Sequence, residues 1–279
     1  MKTFVLTAVT MIAFAANSVL GRLGLVDGDT GPIAFAAIRI AAGALMLIIL
    51  IGLRGQVQRR PVSARIKGAG SLLVYVLAFS AAYVWLPAGL GALILFGVVQ
   101  LTMFGGALYA REDIPATRWA GMGMAFAGLV LLLWPVGGGA PHLLGSLLMA
   151  ISGVGWGLYS LFGRGQSDPL GATAGNFLWA VPATVLAWAL VQDGVTVAGA
   201  VWAVLSGAVT SALGYALWYT VLPRLKSTSA AVAQLTVPVI ATAGGVLFLG
   251  EDLTLRFVLA TVIVLGGIAV ALCALGRKA

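Results

Sequence analysis

Residues 244–253 read GGVLFLGEDL, and residues 105–114 read GGALYAREDI. Each string closes a long apolar run with an adjacent acid pair, Glu251-Asp252 in one and Glu112-Asp113 in the other, in a chain with only 8 acids. A shift of 139 positions, from Gly105 to Gly244, lays 105–133 on 244–272 and also superposes Gly106 on Gly245, Leu108 on Leu247 and Gly128 on Gly267. With shifts that differ by a few residues, SVLGR at 18–22 matches SLFGR at 160–164, and YVWLP at 83–87 matches YTVLP at 219–223. The matches run in one order along the chain, which is the mark of an internal duplication.

What is duplicated follows from composition. With 61% hydrophobic and 9% charged residues in 279, the chain has too few charges to cover a water-facing surface of that size. Apolar runs long enough to cross a hydrocarbon core of ~30 Å as helices recur almost without pause. Ten spans are predicted, at 4–22, 32–52, 66–86, 88–109, 117–134, 143–162, 172–190, 199–221, 229–249 and 255–275. The residues left over are too few for a folded domain outside the membrane, so function must sit among the helices. The 38 glycines point to close helix approach, as at Gly121, Gly123 and Gly128 or Gly153, Gly155 and Gly157. One cysteine, Cys273, allows no internal disulfide, and no Cys/His metal spacing is present, so neither a metal nor another cofactor is expected.

The formal net charge of +8 is a topology signal. With the N-terminus inside, inner segments hold Lys2, Arg54, Arg59, Arg60, Arg65, Lys67, Arg111, Arg118, Arg164, Arg224, Lys226, Arg277 and Lys278, against Arg22 and Arg256 outside and Arg39 within the second helix. Both termini are therefore expected in the cytoplasm, and no nucleic-acid partner is expected. The basic start and Ala13-Phe14-Ala15 imitate a signal peptide, but removing the first helix would invert every later basic cluster, so that helix is expected to stay.

Each sequence match pairs a helix with the one five later. Five is odd, so the second copy must enter the membrane upside down, giving two halves related by a pseudo-two-fold axis in the membrane plane. The expected fold is an all-α membrane protein of ten transmembrane helices in two inverted five-helix repeats, 1–136 and 143–279, joined by an outer linker at 137–142. The acid pairs fall near the start of the following helix, where the dipole favours negative charge by ~0.3 to 1 kcal/mol, so helix capping is their expected role and gating the alternative. Inverted repeats supply two states of similar energy open to opposite sides, the build of a secondary transporter with its substrate near the midplane.

The stretch YALWYTVLPRLKSTSAAVAQLTVPVIATAGGVLFLGEDLT at 215–254 resembles the helix 8 to 9 hairpin of the drug/metabolite transporter superfamily, in its EamA-type ten-helix branch. The resemblance rests on the Tyr-x-x-Trp-Tyr end of helix 8, Ala230-Ala231, Pro238 and the closing Gly250-Glu251, with Arg39 fitting the family's helix 2 arginine and Glu112 its helix 4 glutamate. Two departures stand out: Val99 aligns with Pro238, and Arg111 replaces the glycine before the glutamate. The resemblance implies a multi-pass protein of the bacterial cytoplasmic (inner) membrane that exports small metabolites, often amino acids. The aromatic-rich helices are most similar to the aromatic amino-acid exporters of that family.

Candidate substrate-binding residues are the polar and aromatic groups at depth. Arg39 lies ~10 Å below the outer boundary at ~1.5 Å per residue. It has no acid within any helix to pair with, which leaves backbone carbonyls, a loop acid such as Asp27 or Asp29, or a substrate carboxylate. Asn17 comes to a similar depth and can share a hydrogen-bonded layer with it. Gln100 and Gln234 suit helix–helix bonding or substrate contact equally. Pro238 removes the amide that would bond the Gln234 carbonyl, exposing a carbonyl beside an amide side chain if a cavity borders it. Tyr75, Trp156 and Tyr215 lie deep enough to wall a site, and Gly155 and Gly157 are expected to leave the Trp156 ring uncrowded. Trp179 is expected in the core or against lipid. With no intramembrane carboxylate, the expected cargo is neutral or zwitterionic; a channel, a scramblase and a membrane enzyme are the competing classes. The expected partners are the small-molecule substrate and the bilayer, with the chain as a monomer or homodimer.

Overall fold

A computed structural model describes residues 2–54, 62–111, 114–134, 141–163, 166–221, 224 and 233–273. Their regular structure is all helical: α1 Lys2–Leu25, α2 Pro32–Arg54, α3 Val62–Ala82, α4 Ala88–Tyr109, α5 Ala116–Leu133, α6 Leu143–Gly163 and α7 Pro169–Val191. There follow α8, built from Val197–Val204, the π-helical Leu205–Leu213 and Gly214–Val221, then α9 Thr236–Leu249 and α10 Leu255–Cys273. Among the described residues, 9 helices are long and apolar enough to cross a membrane, and α9 is a shorter apolar helix. The chain is a multi-pass membrane protein.

The shortness of α9 has a local cause. Pro238 sits in its first turn, where a missing N–H breaks no helical bond, and Leu235 is a turn residue before it. The aligned Val99 leaves α4 an unbroken helix. Ala233 and Gln234 are helical as well, so Pro238 follows a break at Leu235 and falls in the first turn of α9.

Small residues set the helix contacts. At Gly121 and Gly267, α5 and α10 approach so closely that an added Cβ on either would meet backbone of the other. Gly207, in the π-helical turn, lies against the Arg39 carbonyl, and Gly43 against the Phe177 ring and the Gly207 carbonyl, so α2 and α8 meet backbone to backbone. Further packing joins α3 to α6, α1 to α8, α4 to α6, α1 to α9, α2 to α7, α3 to α7 and α4 to α9.

One end of the bundle explains the quoted GGVLFLGEDL. Gly250, at φ 65°, reverses the chain so that the Glu251 amide donates to the Gly245 carbonyl at 3.1 Å. Any side chain at Gly245 would collide with the Glu251 carboxylate. That carboxylate takes the Ala88 amide on both oxygens, at 2.8 and 2.9 Å, so it caps α4. The expectation of a cap at the start of the next helix, α10, is corrected: the loop folds back across α4 instead. Arg22 of α1 stands 4.0 Å from the carboxylate and donates to the Tyr83 and Val84 carbonyls at 2.8 Å each, tying α1 and the α3–α4 turn into the same knot. Burial pushes the Glu251 carboxyl above the ordinary carboxylate range, opposed by the Ala88 amide, Arg22 and the Gly89 amide.

In the first half, Arg111 holds φ 55°, the same left-handed turn as Gly250 at 65°. The arginine that departs from the family's glycine therefore keeps the turn geometry, at a steric cost of ~1 to 2 kcal/mol for a residue with a Cβ. Glu112, Asp113, most of the 137–142 linker, and Arg59, Arg60, Arg164, Lys226, Arg277 and Lys278 lie outside the described residues. The opposite end of the bundle carries the Arg54–Asp168 ion pair at 2.8 Å, joining the end of α2 to the start of α7.

Gly207→Ala is expected to lower stability by about 1–3 kcal/mol through overpacking, read as thermal unfolding in detergent. Gly105→Ala, with nothing within 4 Å of an added Cβ, should be silent; equal behaviour of the two would refute the α2–α8 contact. A raised Glu251 pKa means the folded protein holds that proton more tightly than the unfolded chain. The associated stability is present below the ordinary carboxylate value of 4.5 and is lost as pH rises through the raised folded value. Acidification across that window should therefore stabilise the wild type relative to Glu251→Gln, and a relative loss would mean that the amides and Arg22 outweigh burial.

Candidate functional site

The polar centre of the bundle is built by four helices. Asn17 of α1 donates through Nδ2 to the Tyr75 hydroxyl of α3 at 3.2 Å, and Arg39 of α2 donates to the same oxygen through Nη2 at 2.9 Å. Asn17 Oδ1 accepts from Ser206 at 2.6 Å and Thr210 at 3.1 Å, both on α8, and Arg39 Nη2 reaches Ser211 at 3.4 Å. The wider π-helical turn brings Ser206, Thr210 and Ser211 toward one side, which α-helical spacing would not do for the last of them. These hydroxyls escaped the sequence reading because small polar residues in apolar helices carry no signal of their own; only the irregular turn that groups them does.

Three bonding positions in this network stay open. The Tyr75 oxygen accepts twice, so its own hydrogen is uncommitted. Arg39 is 1% exposed, and its Nε and Nη1 have no hydrogen-bond partner. Its guanidinium carbon lies 4.7 Å from the centre of the Phe79 ring and 5.2 Å from that of Tyr75. Rings in such positions contribute ~0.5 to 2 kcal/mol, less than the several kcal/mol that burying an unpaired charge costs. Among the described residues no carboxylate pairs with it. Glu251 and Asp168 are paired with Arg22 and Arg54, and Asp193 caps α2 through the Ile33 and Ala34 amides. Asp27, Asp29 and Asp252 are exposed, which removes Asp27 and Asp29 as the counter-charge that the sequence left possible.

Next to Tyr75 and Phe79, the rings that flank Arg39, lies a cavity of ≈ 20 Å³; Asn17, Ser18, Tyr75 and Thr210 form its polar lining and Phe14, Trp156 and Tyr215 part of its aromatic lining, while Arg39 itself does not border it. The Trp156 ring is 5.0 Å from Tyr75, 5.2 Å from Tyr215 and 5.3 Å from Tyr159, centre to centre. It is the hub of an aromatic stack rather than an uncrowded ring. Gly155 and Gly157 serve helix approach instead, to the Tyr75 backbone of α3 and to Thr102 of α4. Asn17, Arg39, Tyr75, Trp156 and Tyr215 are thus brought together as a group. Gln100 and Gln234 are half-buried and Pro238 is buried, and none of the three lines this cavity. Trp179, 41% exposed, faces outward.

Chemically, the cluster offers charged and phenolic donors with no carboxylate among the described residues, next to ring faces. That combination suits an anionic group attached to an apolar or cationic body. A cavity of ≈ 20 Å³ holds about one water, so anything larger enters only when the helices part. A larger space of ≈ 270 Å³ opens at the Glu251 end, bordered by Trp85, His142, Glu251, Asp252 and Arg256.

Comparison with known proteins agrees with this picture. Residues 143–273 match the EamA-like transporter family. An uncharacterized protein of Pseudomonas aeruginosa is 47% identical over 100% of this chain and 97% of its own length. An uncharacterized transporter of Archaeoglobus fulgidus is 25% identical over 96% of this chain and 98% of its own. A probable amino-acid metabolite efflux pump of Escherichia coli is 26% identical over 95% of this chain and 93% of its own. A crystal structure with 23% identity superposes at a TM-score of 0.66 over 94% of this chain and 97% of that one, a likeness of fold. The chain carries an EamA-family domain of the drug/metabolite transporter superfamily over residues 143–273.

Proposed function

We propose that this transporter exports small zwitterionic metabolites, amino acids and aromatic ones among them, from the bacterial cytoplasm by alternating access around the central cavity. The observation that carries the reading is Arg39, a buried cation with two nitrogens unpartnered and no carboxylate paired to it among the described residues. A substrate carboxylate completes it, taking the Nε and Nη1 hydrogens and the free Tyr75 hydrogen. Trp156, Tyr215 and Phe14 receive the remainder, an apolar side chain by packing or an ammonium group over a ring face. Asn17 holds Tyr75 in place. An organic cation without a carboxylate would meet Arg39 as a like charge, and a dianion would find only one cation there.

The alternating-access part rests on ten crossings in two inverted repeats, 1–136 and 143–279, with both termini cytoplasmic and α9 as one crossing. The packing supports it: exchanging each helix for the one five later turns α3–α6 into α1–α8, α4–α6 into α1–α9, and α2–α8 into α3–α7. The pairs α2–α7, α4–α9 and α5–α10 map onto themselves. A two-fold axis between the halves requires this pattern. Charge supports the orientation, since Lys2, Arg54, Arg65, Lys67, Arg111, Arg118 and Arg224 fall at the end opposite Arg22 and Arg256.

In proteoliposomes of purified protein, labelled L-phenylalanine should accumulate saturably, with the D-isomer a poor competitor. Arg39→Gln should cut transport at least about tenfold by removing a charge-assisted contact, and Trp156→Ala should raise KM more for aromatic than for small substrates. Undiminished amino-acid transport by Arg39→Gln would refute the reading.

A further inference from the structure

Helices α2 and α7 both open on a proline, Pro32 and Pro169, and each carries a buried polar residue seven positions on, Arg39 in one and Asn176 in the other. Asn176 is 4% exposed, and its Oδ1 has no hydrogen-bond partner. The amide end of its side chain lies against Gly68 of α3, where an added Cβ would meet Oδ1 and Nδ2. Gly68 and Asn176 together border a cavity of ≈ 10 Å³, with Tyr159 and Phe162 of α6 and Thr173 and Pro169 of α7. Pro169 follows Asp168, so the cavity lies toward the end that carries the Arg54–Asp168 pair, cytoplasmic on the proposed orientation. The neighbouring groups are engaged with one another: Tyr159 donates to Thr173 at 3.4 Å, Thr173 to the Pro169 carbonyl at 2.9 Å, and Asp168 accepts from Arg54 and the Gly171 amide. The open position here is an acceptor, the reverse of the open donors on Arg39 and Tyr75.

We propose that Asn176 is the residue that selects the cargo's ammonium on the inner side: as the helices part at that end, its Oδ1 accepts an N–H of the incoming zwitterion. The inference rests on the reading of the cargo as an amino acid. An ammonium is the hydrogen-bond donor that an amino-acid zwitterion always carries, and a buried amide carbonyl without a partner accepts it as a charge-assisted bond. A carboxylate brought to the same oxygen meets acceptor against acceptor, so this position tells the two ends of the molecule apart in the opposite sense to Arg39. Lys67, exposed next to Gly68 with its ammonium 6.0 Å from the centre of the Phe162 ring, adds positive charge at the rim, so the selection comes from the carbonyl and not from a negative field. The space of ≈ 10 Å³ is at the lower limit for one water, so cargo reaches Oδ1 only as α3, α6 and α7 separate. The route onward is short: Tyr159 of this cavity stacks on Trp156 of the central one, with 5.3 Å between ring centres and 19° between planes, so the two cavities meet across one aromatic pair.

The test is uptake of labelled L-phenylalanine into inside-out membrane vesicles, which present the cytoplasmic face to the medium, with 3-phenylpropionate, the same molecule without its ammonium, as competitor. Asn176→Leu should raise KM for L-phenylalanine about tenfold, the loss of one charge-assisted hydrogen bond, and leave the inhibition constant of 3-phenylpropionate unchanged. Asn176→Asp keeps the acceptor and adds a negative charge, so it should hold KM at the wild-type value or below while weakening 3-phenylpropionate. An Asn176 that serves packing alone would shift both ligands alike or change only kcat, and either result would overturn the proposal, as would an unchanged KM in Asn176→Leu. Should Asn176→Leu fail to fold, Asn176→Asp decides, and equal shifts for the two ligands count against the proposal. L-Phenylalanine uptake that needs Arg39 and is indifferent to Asn176 removes this inference and leaves the carboxylate reading standing. Wild-type vesicles that take up no amino acid remove both.

Discussion

The arrangement of the bundle depends on one unpaired charge. Arg39 is carried inside by α2, where leaving it without an acid costs several kcal/mol, and the surrounding structure partly compensates it without neutralising it. Tyr75 and Ser211 take one nitrogen and two rings flank the guanidinium, while Nε and Nη1 stay open. A chain selected only for stability would place an acid opposite this arginine or remove it. On the proposed reading, the missing interaction is kept available to a ligand.

The rest of the architecture holds that site in register. Gly43 and Gly207 let α2 and α8 meet at the level of the Arg39 backbone, and Gly155 does the same for α3 and α6 at Tyr75. The π-helical turn groups three hydroxyls toward Asn17 and Arg39. Farther along, Glu251 ties the start of α4 to α1 and to the α9–α10 turn, closing one end of the bundle over the buried Tyr83 and Leu86. The polar cluster and the Glu251 knot both draw on α1, through Asn17 and Arg22.

Much of this was legible in the residues. Apolar runs located the helices to within a few positions, because membrane crossing fixes length and hydrophobicity together. Arg39, Asn17, Tyr75, Trp156 and Tyr215 stood out by depth, and the structure groups them. Gln100, Gln234 and Pro238 were as polar or as irregular, yet they do not line the cavity, since depth alone leaves the facing of a helix undetermined. The partner of Glu251 was also hidden: spacing along the chain suggested α10, whereas the left-handed Gly250 turns the carboxylate onto α4, a contact between residues far apart in sequence. Arg111 shows the converse, an unexpected residue in the expected geometry.

The central claim is that the carboxylate is what this site recognises. Equilibrium competition against labelled L-phenylalanine on the purified wild type, comparing L-phenylalanine with L-phenylalaninamide and phenylethylamine, tests it with no mutation at all. The account predicts that loss of the carboxylate weakens binding at least about a hundredfold, the cost of leaving a buried cation unpaired. Equal competition by the amide or the amine would contradict it, because Arg39 would then have no part in holding the ligand.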